Sequence, residues 1–152
     1  MSKPRPNRGA AALRSAVKDL AYEWQTARDA VRALVSARQA GNTALSNMFI
    51  EDFLLHARNL RDFFAPRGKP DDVLAKDFLG RHPRIALPHL RSAAVRNRLN
   101  RRIAHLSYSR PRFRVGWNIP RLLAEIEAAM EAFALRLESK RPRLARILRN
   151  VN

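Results

Sequence analysis

The chain holds no cysteine, which excludes a disulfide framework and any Cys-ligated zinc or iron–sulfur site. Glycine is scarce, five in 152 residues, and they assemble no phosphate-cradling Gly-rich loop. No apolar run approaches the ~18 residues of a membrane span. The basic start, Met1 to Arg8, lacks the apolar stretch that comes next in a secretory signal, so a soluble cytoplasmic protein is expected. Negative charge is the other shortage. Against 30 Lys and Arg stand 13 Asp and Glu, a formal charge of +17 that favours polyanionic partners.

What remains is the material of one folded domain. Hydrophobic residues make up 46%, too many for a disordered chain, and the length supports a single core. Of the 30 bases 25 are Arg. The planar guanidinium pairs bidentately with phosphate and stacks on bases, which suits RNA or DNA. A GC-rich genome also enriches Arg together with Ala, and the Arg to Lys ratio fits either origin. Codon usage does not account for the net charge.

Hydrophobic periodicity reads as helix throughout, with no strand alternation. Leu13, Val17, Leu20, Trp24, Ala27, Val31 and Leu34 alternate steps of four and three, the seam of one long helix ended at Gly41-Asn42. A second helix is expected over 43–64, with a seam at Met48, Phe49, Phe53, Leu60, Phe63 and Phe64. Pro66, Gly68 and Pro70 break it. Asp71 or Asp72 is placed to cap a short helix through Phe78 and Leu79. A third long helix is expected over about 89–107. A fourth begins at Asn118 and Pro120, carries Leu122, Leu123, Ile126, Met130, Phe133 and Leu137, and stops at Pro142. The expected fold is all-α, an antiparallel bundle of four principal helices with short accessory helices. Residues 1–9 read as a flexible basic arm, 10–140 as the bundle domain and 141–152 as a basic tail able to form one more short helix.

The charge is unevenly spread. Between Asp77 and Glu125 lie 47 residues with 11 Arg and no acid. A salt-bridged solvated face needs acidic partners, which could come only from elsewhere, such as Glu51, Asp52 or Asp62. Phosphate binding is the favoured reading, with Arg96, Arg101, Arg110, Arg112 and Arg114 as nucleic-acid contacts. The loop after helix three interleaves Tyr108, Phe113 and Trp117 with these arginines, a mixture suited to base stacking. Trp117 reads equally well as core.

Two constellations carry potential chemistry. On helix three, Arg98-Leu-Asn-Arg-Arg-Ile-Ala-His105 brings Arg98 and His105 within ~20° around the axis, with Arg102 one turn before the same His. Neighbouring arginines disfavour the charged imidazole, leaving a base, and they can stabilise charge developing on an attacked phosphorus. Those are the parts of metal-independent RNA cleavage with Arg98, Arg102 and His105 as catalytic groups. The plain alternative is a His on a phosphate-binding helix. On helix two, His56 falls at a seam position, with Asn59 and Asp62 beyond it. It reads either as a core His bonded to a neighbouring helix or as support, with Asn59 and Asp62, for the helix-three cluster. The four histidines show no metal-ligand spacing, and neither metal nor cofactor is expected.

The segments Phe53-Leu-Leu-His-Ala-Arg-Asn-Leu-Arg-Asp-Phe-Phe64 and Arg98-Leu-Asn-Arg-Arg-Ile-Ala-His-Leu-Ser107 resemble those of the HEPN superfamily of small helical proteins, in particular an uncharacterised bacterial group. The hallmark is an Arg, four to six residues, then a His, on a bundle helix. Six residues separate Arg98 from His105, but Leu99 stands where many active members carry Asn, Asp or His. The resemblance implies a homodimer with two His-bearing helices across a shared cleft, and RNA cleavage in stress or phage defence. Some members of the superfamily only bind. Beside the ribonuclease reading stand a non-catalytic nucleic-acid binder and an interaction module for an acidic protein, as in a toxin–antitoxin pair.

Overall fold

The structure, a computed structural model, describes residues 7–103 and 116–150, the side chains of 101–103 excepted. These residues form six helices and no strand: α1 (Ala10–Gln39), α2 (Thr43–Phe63), α3 (Ala75–Leu79), α4 (Ala93–Ile103), α5 (Ile119–Lys140) and α6 (Pro142–Arg149). The described residues are all-helical in their regular structure, as the periodicity predicts. No helix among the described residues is long and apolar enough to cross a membrane.

The α1 seam buries Leu13, Val17, Leu20, Trp24, Ala27 and Leu34, with Val31 half-buried. Gly41 takes φ 66°, the left-handed conformation that only glycine adopts without cost, and so stops the helix. Asn42 then caps α2 by accepting the Leu45 N–H at 3.0 Å. This short connection folds α2 back along α1.

The α2 seam holds at Phe53, Leu60, Phe63 and Phe64 but not at Met48, which is 60% exposed. Met48 shares its helical face with Leu55, seven residues on, and that face points to solvent. The cap of the short helix also differs from expectation. α3 begins three residues beyond Asp72, and Asp77 supplies the capping carboxylate, accepting the Leu74 N–H at 2.9 Å. Asp72 instead accepts the Lys69 N–H at 2.5 Å and closes the turn from Lys69 to Asp72.

Phe63, Phe64, Phe78 and Phe133 form the centre of the core, edge to face with ring centroids 4.9–6.1 Å apart. They join α2, α3 and α5. The stretch read as a basic tail forms α6, which packs on α1 and α5 and adds Leu144, Ala145 and Leu148 to the same core. α4 packs on α2 and inserts Leu99, fully buried.

The proline-interrupted connection before α4 is well anchored. Ile85, Leu87 and Leu90 are buried. The Phe64 carbonyl, at the end of α2, accepts hydrogen bonds from His82 Nε2 at 3.0 Å and from Arg91. The Arg91 cation suits the negative end of a helix. Glu125 on α5 accepts the backbone N–H of His89 at 2.9 Å and of Leu90 at 2.8 Å.

Candidate nucleic-acid interface

α4 has no acidic residue. Leu99 faces the core, Val95 is half-buried, and Arg96 and Asn97 point outward. The Ser92 hydroxyl accepts the Val95 N–H at 3.3 Å and starts the helix. Arg98 flanks the buried stripe, half-exposed. Its guanidinium lies over the indole of Trp117, with Cζ 4.0 Å from the ring centroid, and Nη2 donates to the Gly116 carbonyl at 3.3 Å.

The start of α5 holds Trp117 in place. Asn118 caps that helix by accepting the Arg121 N–H at 3.2 Å, and Pro120 in the first turn pre-sets the backbone. The indole Nε1 is buried and has no hydrogen-bond partner among the described residues. Arg96, two positions before Arg98 on α4, is exposed on a different face of the helix. Guanidinium planes stack bases and bind phosphate.

Arg101 and Arg102 belong to α4 by backbone, and their side chains lie outside the described residues. His105, Arg110, Arg112 and Arg114 also lie outside them. Nearer α2, burial lowers the Arg91 pKa from its ordinary value, and the neighbouring Arg61 cation adds to that. Arg61 itself is buried against Asp62, with Nε donating to Oδ1 at 2.8 Å, and its Nη1 has no hydrogen-bond partner among the described residues.

The three α2 residues grouped by sequence separate into two sets. His56 is buried, with Nδ1 2.7 Å from Glu23 Oε2 on α1, Nε2 3.4 Å from Asp52 Oδ1, and Tyr22 against its edge. Asn59 donates to the same Glu23 oxygen at 3.0 Å. Asp62 is engaged instead by Arg61 and, at 3.9 Å, by Arg58. Glu23 was invisible as a partner because it lies 33 residues from His56, although its place one step from the α1 seam puts it on the flank that α2 covers.

The remaining described histidines have partners too. His82 meets the Phe64 carbonyl and, through Nδ1, the Arg84 N–H at 3.1 Å; His89 Nδ1 lies 3.6 Å from Glu125. No group of His, Asp and Glu among the described residues could hold a metal ion.

A second arginine–tryptophan stack sits between α1 and α5. Arg28 lies 4.0 Å over Trp24, and Glu127 clamps it with bonds of 2.7 and 2.6 Å. The same carboxylate accepts from Trp24 Nε1 at 3.2 Å. The bond to Glu127 holds the Arg28 pKa above its ordinary value against the opposing effect of burial.

Compared with known proteins, the chain matches no family model, and no curated protein or solved structure matches it significantly.

Proposed function

We propose that this protein binds single-stranded RNA on the α4 surface, with the Arg98–Trp117 stack as the platform for a base and Arg96 as a phosphate contact. The observation that carries this reading is the fixed stack itself: a guanidinium 4.0 Å over an indole, on a helix without acids. A base laid on the outer face of Arg98 gains stacking and cation–π attraction together. The arginines beyond this platform, Arg101, Arg110, Arg112 and Arg114, extend the backbone-tracking charge of the same acid-free stretch.

A second reading adds cleavage. In it the protein is an HEPN-like, metal-independent endoribonuclease of the cytoplasm, a homodimer built on a bundle of α1, α2, α4 and α5, active in stress or phage defence. Arg98 and Arg102 stabilise the charge on phosphorus while His105 acts as the base and the 2′-hydroxyl attacks. Its support is the spacing of Arg98 and His105 within the acid-free stretch of the sequence.

One experiment separates the two. Purified protein is titrated with a fluorescent single-stranded RNA at several salt concentrations and then incubated with it in EDTA. Binding that weakens steeply with salt, and tenfold or more on Arg98→Ala, supports the platform. Salt-insensitive binding, or binding indifferent to Arg98, sinks it. Cleavage lost in His105→Ala with binding retained supports the nuclease reading; no cleavage by the wild-type protein removes that reading alone.

A further inference from the structure

A second cationic surface lies away from α4, where the first turns of α1 meet the α5–α6 junction. Ala10, Arg14 and Lys18 on one side and Arg141, Pro142, Arg143, Leu144 and Ile147 on the other line a groove of about 650 Å³. Four of the eight lining residues are cations and none is acidic. The other four are aliphatic or proline, and none is aromatic or a neutral hydrogen-bonding side chain.

The backbone adds to the positive field. Neither α1, capped by Gly9, nor α6, capped by Arg141, has a side-chain cap. The positive ends of both helices therefore lie beside this groove without a side-chain acceptor to neutralise them.

We propose that this groove docks an acidic amphipathic helix of a partner protein, carboxylates on Arg14, Lys18, Arg141 and Arg143 and aliphatic side chains on Ala10, Pro142 and Ile147. Two alternatives fit less well. A nucleic acid would engage the three guanidinium groups but leave the aliphatic lining without a matching partner, since no aromatic ring lines the groove. A membrane surface needs the apolar face of α6, but Leu144, Ala145 and Leu148 already spend that face on the core. An amphipathic acidic helix uses both halves of the groove at once, charge for orientation and apolar contact for hold.

The test uses the full-length protein and a labelled 18-residue helical peptide with leucine at heptad a and d positions and glutamate elsewhere. Binding is expected to fall at least tenfold in the Arg14→Glu, Arg143→Glu double variant, and as far when the leucines of the peptide become serine. Both arginines are exposed, and Arg14→Gln with Arg143→Gln serves as the milder pair if melting shows the first to be unfolded. Single-stranded RNA affinity is expected to stay within twofold, whereas Arg98→Ala should affect RNA and not peptide. Equal binding of the serine peptide would reduce the groove to bare charge and overturn the proposal. So would unchanged peptide affinity in the charge-reversed protein, or an equal loss of RNA binding, which would make the groove a nucleic-acid site.

Discussion

The molecule builds the same local object twice, an arginine stacked on a tryptophan at 4.0 Å, and finishes it differently. Over Trp24, Arg28 is clamped by Glu127, and that carboxylate also takes the indole N–H. Charge, donor and ring are all answered within the fold. Over Trp117, Arg98 donates to a backbone carbonyl, and the indole N–H has no partner among the described residues. The first stack joins α1 to α5 and is structural. The second stands at the edge of an acid-free helix, tied to the lead-in of α5. The stack is common to both; the second differs in standing on a helix without acids.

The comparison can be broken by experiment, beginning with the largest effect. Trp24→Ala removes a 4% exposed indole from the core and should cost about 3–5 kcal/mol in urea unfolding, with RNA affinity per folded molecule unchanged. A loss below about 1 kcal/mol would mean that the two stacks are not different in kind. Glu127→Ala orphans Arg28 and Trp24 Nε1 together. Because that pair is about a third exposed, solvent screens part of the loss, and roughly 2 kcal/mol is expected.

Trp117→Ala should reverse the pattern. Thermal melting should change little for a half-buried ring, while RNA affinity drops by about 1–3 kcal/mol through lost stacking. Large destabilisation with unchanged affinity would assign Trp117 to the core. The smallest effect belongs to Arg96→Ala on the outer face of α4. Affinity should weaken a few-fold whatever the RNA sequence, and the log–log salt slope should fall by about one.

Much of this architecture could be read along the chain, because helix periodicity and end signals are local. The α1 seam, the glycine stop at Gly41, the Asn42 and Asn118 caps and the break at Pro142 all appear where nearby residues require them. Met48 shows the limit: an apolar residue adjacent to a seam residue looks like core until the partner helix fixes which face is covered. Asp77 shows another, since three acids compete to cap one short helix and only the starting residue decides.

The site was legible in composition and not in geometry. That α4 is acid-free is a property of consecutive residues. That Glu23 holds His56, or Glu127 closes over Arg28, depends on residues 33 and 99 positions away. The α1–α6 groove brings Arg14 beside Arg143 across almost the whole chain, and no local pattern signals it.

Glu125 carries a last consequence. Its side chain is 9% exposed, and its two oxygens hold consecutive backbone amides, those of His89 and Leu90, just before α4 begins. Releasing either amide alone leaves a buried carboxylate half-satisfied, so the two let go together. The lead-in to α4 is in effect a latch with one catch. Hydrogen exchange at His89 and Leu90 should follow a single opening event, in step with each other, rather than fraying inward from Arg91. Any pull on α4 therefore meets a lead-in that holds or releases as a unit.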